Sequence, residues 1–252
     1  MSLLRTNKLK KHFGDTRAVD EVDFSVTEGE FLSLVGANGA GKTTLVNLIS
    51  AYLEPDSGQI YFYDRDITYL PVAERIKSGI ARSFQLVNLF DDLSAFDNVA
   101  LAIFSREGKT HNLFTLADRD SEVARETEEV LAQFGLDAKR DTPAGGLAQG
   151  ERKLLDVAVA YALNPKLLFL DEPTSGVSTR DKAQIMDTVS SVVRAGKITA
   201  VVIEHDMDVV FKYSDRIVVM NDGSILADGT PEEIRQNTEV ATMLLGTPAA
   251  TQ

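Results

Sequence analysis

Between Gly36 and Thr44 the chain reads Gly-Ala-Asn-Gly-Ala-Gly-Lys-Thr-Thr. Glycines, an amine and two hydroxyls at this spacing, Gly36-x-x-x-x-Gly41-Lys42-Thr43, match a loop that cradles phosphate. Glycine lets main-chain N–H groups turn inward and approach phosphate oxygens closely. A helix starting at Lys42 aims its N-terminus at the same anion. Lys42 sets a point charge against the β and γ phosphates. The Thr43 hydroxyl suits Mg²⁺, and that of Thr44 an inner phosphate. Asn38, Gly39 and Ala40 complete the cradle between Gly36 and Gly41. The ligand these residues call for is ATP, with Mg²⁺ as its cation.

A second set of groups ends an apolar run, Leu167-Leu168-Phe169-Leu170-Asp171-Glu172. In an open parallel sheet, ligands sit at the carboxyl ends of strands. Asp171 then suits the Mg²⁺ shell, through water. Glu172 suits positioning or deprotonating an attacking water. The alternative is an acidic surface turn before Pro173. His205 follows another apolar run and is a candidate hydrogen-bond partner of the γ-phosphate. A satisfied histidine at a strand end is the plainer reading, and it is the one kept for His12 and His111. Gln85, in Arg82-Ser83-Phe84-Gln85, offers a neutral amide that can touch Mg²⁺ or its water and still move away.

Such groups need strands that deliver them. Phe31–Val35 reads as a strand ending at the Gly-rich loop, and Lys42 to Ser50 as the helix after it. Leu167–Leu170 and Ala200–Ile203 are continuous apolar runs, as in strands buried on both faces. Ile217–Met220 and Ser224–Ala227 flank Asn221-Asp222-Gly223, a hairpin signal. From about Ser94 to Leu163 the pattern turns helical, with Ser94–Asp97 as a cap. Asp118–Phe134 is charged and amphipathic, and Gly108–Asn112 reads as a loop. Strands alternating with helices make the fold class α/β.

Lys and Arg number 26 against 38 Asp and Glu, a net charge of −12. That balance argues against nucleic acid as the main partner and against electrostatic adsorption to anionic lipid. The chain has no Cys. Disulfides, thiolate metal sites and Cys nucleophiles are thereby excluded, in keeping with a reducing cytosol. Met1 to Asn7 lacks the apolar core of a signal peptide. No stretch approaches the roughly 18 apolar residues of a membrane span. At a membrane, another chain would have to hold this one in place.

In their order, these segments resemble the ATP-binding subunits of ABC transporters, from about Leu4 to Gly246. The resemblance implies a P-loop NTPase (RecA-like) core with an antiparallel β subdomain and an inserted helical subdomain. It implies one domain over 1–246, with the core at about 1–87 and 164–237, the helical part at about 88–163, and 247–252 as a flexible tail. Phe13 stands where the family stacks an aromatic on adenine, the other reading being a core aromatic of the first strand. Val19 joins it among the nucleotide-binding residues. Gln85 matches the Q-loop, Asp171 and Glu172 the Walker B pair, and His205 the switch histidine. The signature position holds Leu147-Ala148-Gln149-Gly150-Glu151 where the usual form is Leu-Ser-Gly-Gly-Gln. Gly150 still offers its N–H, whereas Ala148 lacks the usual Ser hydroxyl. Ser178 stands where the D-loop usually ends in Asp.

The wording is most similar to the group that takes up branched-chain or other hydrophobic amino acids. Arg82–Gln85 with Leu89-Phe90, Asp97-Asn98-Val99 and Glu204–Asp208 carry that likeness. The resemblance implies an Mg-dependent ATPase on the cytoplasmic face of the cell membrane. Its implied partners are integral-membrane permease subunits, a second ATP-binding subunit and, indirectly, an extracytoplasmic solute-binding protein, with no nucleic acid. Two rival readings are a P-loop kinase of a small molecule and a soluble ABC-type ATPase not tied to transport. The helical insertion lacks the Arg-rich lid that suits the first. The single cassette, the absence of sustained heptads and the negative charge count against the second.

Overall fold

The computed structural model describes residues 2–83, 89–108 and 120–245. Gln85, His111, most of the Gly108–Asn112 loop and the tail therefore lie outside the described residues. In chain order the strands are β1 (Ser2–Phe13), β2 (Thr16–Val22), β3 (Ser25–Thr27), β4 (Phe31–Val35), β5 (Ser57–Phe62), β6 (Arg65–Asp66), β7 (Ile80–Arg82), β8 (Leu167–Asp171), β9 (Thr199–Ile203), β10 (Arg216–Asn221) and β11 (Ser224–Gly229). The helices are α1 (Lys42–Ile49), α2 (Val72–Ser78), α3 (Ala95–Arg106), α4 (Ser121–Gln133), α5 (Gln149–Ala162), α6 (Thr179–Ala195), α7 (Met207–Tyr213), α8 (Pro231–Gln236) and α9 (Thr238–Leu245). Two compact units result: Met1–Arg75 with Thr199–Gln252, and Ile76–Ile198.

The first unit joins two kinds of sheet. β1 pairs antiparallel with β2, β3 and β5, and β5 with β6. β4 runs parallel between β9 and β10, and β11 returns antiparallel along β10. Every residue of β4 and β9 is buried, Ser33 and Thr199 included, and the run Ala200–Ile203 is the apolar stretch expected of a strand covered on both faces. Val35, Ile217 and Val219 pack with Val210 of α7, Ile234 of α8 and Val240 of α9. The β10–β11 turn has positive φ at Asp222 (45°) and Gly223 (78°), the shape that a two-residue hairpin loop needs and that Asp-Gly supplies. Its tip is anchored twice. Gly223 N donates to Ala40 O at 3.1 Å, and Gly223 O accepts from Asp20 N at 2.9 Å.

The last carbonyls of a helix need partners from elsewhere. At the end of α1 they meet Arg75, which is 2% exposed. Its guanidinium donates to Leu48 O at 2.6 Å and to Ile49 O, and also to Thr68 O at 2.7 Å and Leu70 O at 3.1 Å. Burial pushes the guanidinium down to about 10 from its ordinary value. A cation there also complements the negative end of the α1 dipole.

In the second unit β7 and β8 pair in parallel, Arg82 standing opposite Phe169. The expected cap at Ser94 is a capping box with Asp97. Asp120 caps α4. Arg106 ties three helices together: it reaches Glu126 of α4 at 2.6 and 2.7 Å and Ala162 O of α5 at 3.0 Å. The α/β class with parallel and antiparallel strands is thus what the chain forms. Among the described residues no helix is long and apolar enough to cross a membrane.

Candidate nucleotide site

The loop from Gly36 to Gly41 leaves β4 and enters α1. A β-carbon at Gly36 would lie 2.2 Å from Met220 O, and one at Gly41 would lie 2.1 Å from Ala18 O. Both positions have positive φ, 150° and 101°. The loop backbone is therefore pressed against β10 on one side and the start of β2 on the other, at a separation only glycine permits. Gly41 is the N-cap of α1, and no side chain caps the helix. The first-turn N–H groups of α1 so face an anion site of the kind that helix N-termini provide. Ala37, Asn38 and Gly39 are exposed on the loop, while Ala40 is buried beneath it. Lys42 lies back along the loop, with Nζ donating to Gly36 O at 2.7 Å and Ala37 O at 2.9 Å. Thr43 is exposed and Thr44 half-buried.

Phe13 ends β1 and is 50% exposed, with Lys11 Nζ at 5.8 Å from its ring centroid. It is not a core aromatic, which removes the plainer of its two readings. Val19 is fully buried and presents no side-chain surface. His205 is exposed just after β9, and Asp206 behind it caps α7 by accepting from Asp208 N and Val209 N.

In the second unit Asp171 closes β8 and Glu172 opens the turn beyond it. Asp171 is buried, and its Oδ2 accepts from Arg82 Nη2 at 2.6 Å. Glu172 is half-buried with φ at 48°, a left-handed backbone unusual for a residue with a β-carbon. That backbone breaks the extended course of β8 directly after Asp171. Ser175 N donates back to Glu172 O at 3.0 Å and closes the turn.

A family model described as ABC transporter matches residues 19–175. The chain belongs to the ABC transporter family. It is 34% identical to a probable branched-chain amino acid transport ATP-binding protein LivG of Methanocaldococcus jannaschii, over 94% of this chain and 93% of that one. Its structure is similar to the ADP conformation of an ATP-binding cassette of an ABC transporter, with TM-score 0.86 and 31% identity over 98% of this chain and 100% of the other. A dimeric post-hydrolysis cassette bound to ADP and Pi matches with TM-score 0.76 and 26% identity, over 90% of this chain and 98% of that one.

The segment that resembles the family's signature, Leu147 to Glu151, opens α5. Ala148 is the N-cap and provides no side-chain cap. Glu151 substitutes in part: its Oε2 accepts from Ala148 N at 2.9 Å, while its Oε1 lies 3.2 Å from Lys139 Nζ. Gly150 sits in the first turn, where its N–H has no place in the intrahelical ladder. Ser178 caps α6, accepting from Asp181 N at 3.3 Å and donating to Asp181 Oδ2 at 2.7 Å.

The motifs alone give no individual role to Arg82, Lys153 or Glu151. Arg82 follows the apolar pair Ile80-Ala81, but nothing local in the sequence says that its side chain turns to a carboxylate 89 residues away. In the first unit Thr43 offers a hydroxyl and in the second Asp171 a carboxylate, each a hard oxygen of the type Mg²⁺ accepts. No group of three or more His, Asp or Glu side chains assembles among the described residues.

Proposed function

We propose that this chain is the ATP-hydrolysing motor subunit of an ABC importer whose cargo is a branched-chain or another hydrophobic amino acid. The observation that carries the ATPase reading is the loop at Gly36–Gly41, pressed against Ala18 O and Met220 O and opening onto an α1 N-terminus that no side chain caps. The cargo follows the relatives' names and the likeness of Arg82–Gln85 and Glu204–Asp208.

Lys42 exchanges the carbonyls of Gly36 and Ala37 for β and γ phosphate oxygens when nucleotide enters. Phe13, half exposed, stacks on adenine, and the N–H groups of Asn38 to Thr44 hold the phosphates. Thr43 through its hydroxyl, and Asp171 through water, would hold Mg²⁺, which supplies charge neutralisation at the transferring phosphoryl group. Glu172 orients and deprotonates the attacking water, and His205 and Gln85 act at the γ-phosphate and the cation shell. Two copies, or this chain and a paralogue, close head to tail on two ATP molecules. Gly150 and the α5 N-terminus of one protomer then complete the γ-phosphate site of the other. Closure pulls on permease subunits, so the chain is peripheral at the cytoplasmic membrane face.

Glu172→Gln tests this reading. The variant is expected to bind ATP, to dimerise with it and to hydrolyse it very slowly. Parent-like turnover would remove Glu172 from the base role. Recovery of the protein from native membranes together with two permeases and a solute receptor supports the transporter assignment, and recovery of a lone protein from the soluble fraction opposes it.

A further inference from the structure

We propose that Lys153 is a positioning residue for Glu172, linking the helix that opens with the signature to the backbone of the water-activating group. The inference rests on the reading of Glu172 as that group. Lys153 is the fifth residue of α5 and only 5% exposed. Its Nζ donates to Ser175 Oγ at 3.0 Å and to Glu172 O at 3.3 Å. An ammonium is costly to bury, and it is tolerated where acceptors satisfy it. Here the acceptors are the two ends of one turn.

The held carbonyl belongs to a strained residue. Glu172 has φ at 48°, and such conformations persist where the surroundings over-determine them. Two donors converge on Glu172 O: Ser175 N from within the turn at 3.0 Å, and Lys153 from outside it. The charged donor is the stronger kind. Because the left-handed φ sets the direction of the Glu172 side chain, whatever fixes that peptide also fixes the carboxylate. A second contact lies one helical turn earlier. A β-carbon at Gly176 would meet Gln149 Nε2 at 2.3 Å, so the Gln149 amide rests directly on the same turn. Gln149 and Lys153, four apart, share one face of α5. The signature helix therefore grips the turn after Glu172 at two successive positions. A shift of α5 would be felt at the carboxylate.

ATPase kinetics of the full chain separate this role from simple packing. Lys153→Met is expected to lower kcat roughly 10- to 100-fold, the scale of a small misplacement of a reacting group. Nucleotide affinity, read with a fluorescent ATP analogue, should stay within about twofold, since that binding is not made by this turn. Lys153→Arg, which keeps a donor, should recover most of the loss. Ser175→Ala, a milder change that guards against a Lys153→Met protein that fails to fold, should lower kcat in the same direction by less. In a Glu172→Gln background Lys153→Met should cause no further loss, because residues acting as a unit are non-additive. Parent-like kcat for a folded Lys153→Met, or the same fractional loss with and without Glu172, overturns the proposal. If Glu172→Gln itself turns over like the parent, it is the reading of Glu172 that falls, and the single variant identifies which has failed.

Discussion

Arg82 and Asp171 form an ion pair at 2.6 Å between side chains that are 7% and 4% exposed. The pair joins the end of β7 to the end of β8, next to the residues assigned to catalysis. Removing one member of a buried pair strands the other charge and costs about 3–5 kcal/mol. Arg82→Met is expected to lose stability on that scale in urea unfolding. Adding Asp171→Asn should restore much of it, because no charge is then left unpaired. The double variant should still be a poor ATPase, having lost the carboxylate assigned to the cation's water. A double variant no more stable than the single one would mean the pair is not what holds this strand edge.

Arg75 is expected to control the stability of the phosphate-binding helix from its far end. Its guanidinium satisfies the terminal carbonyls of α1 together with those of Thr68 and Leu70. Arg75→Met keeps much of the volume but leaves those acceptors buried without this donor, at about 1–3 kcal/mol for each such group. Lysine cannot reproduce the planar fork, so Arg75→Lys should rescue little. Thermal melting and amide exchange at the α1 C-terminus would show it. An Arg75→Met protein as stable as the parent, with α1 amides equally protected, contradicts the assignment.

The parts of the site that were legible are those imposed by backbone geometry. Gly36 and Gly41 are readable because a side chain at either would strike Met220 O or Ala18 O. Asp222-Gly223 is readable because two successive residues need positive φ. β8 and β9 are readable because strands buried throughout show four apolar residues in succession, Leu167–Leu170 and Ala200–Ile203, and β4 is readable with a single Ser33 among four apolar residues. The buried cations were not legible. Arg75, Arg82 and Lys153 find partners 5 to 27, 89, and 19 and 22 residues away. Local periodicity says nothing about which Lys or Arg turns inward. Ser178 departs from the D-loop pattern that the chain otherwise resembles, and its capping of α6 depends on a bond to Asp181 that a motif does not weigh.

Stability of the helical region should depend on pH through Glu126. Its hydrogen bonds with Arg106 hold the carboxyl below the ordinary glutamate range, against the opposing effect of burial. A depressed folded value means that the stabilisation is fully present above the unfolded value of about 4.3 and is lost as pH falls through the folded value. Glu126→Gln should therefore cost about 1 kcal/mol at pH near 7, the pair being partly exposed. The difference from the parent should shrink progressively below about pH 4.3. Urea unfolding of both proteins across that window is the check, and a difference that grows in acid has the wrong sign.

Glu151 is expected to weaken closure of the ATP-bound dimer. Its carboxylate sits on the first turn of α5, bonded to Ala148 N and 3.2 Å from Lys139. For the isolated chain this is favourable: an anion at a helix N-terminus gains about 0.3–1 kcal/mol. For a dimer in which that N-terminus faces a γ-phosphate, it places like charges together, and Lys139 offsets only part of the repulsion. Glu151→Gln keeps an acceptor for Ala148 N and removes the charge. The variant should melt slightly earlier as a monomer yet dimerise more tightly with ATP when combined with Glu172→Gln. The gain should be several-fold at about 0.05 M salt and mostly gone near 0.5 M, where charges beyond about 4 Å are screened. Sedimentation at the two ionic strengths measures both effects. Weaker dimerisation of the Gln variant at low salt would mean that Glu151 serves the helix more than it opposes the phosphate.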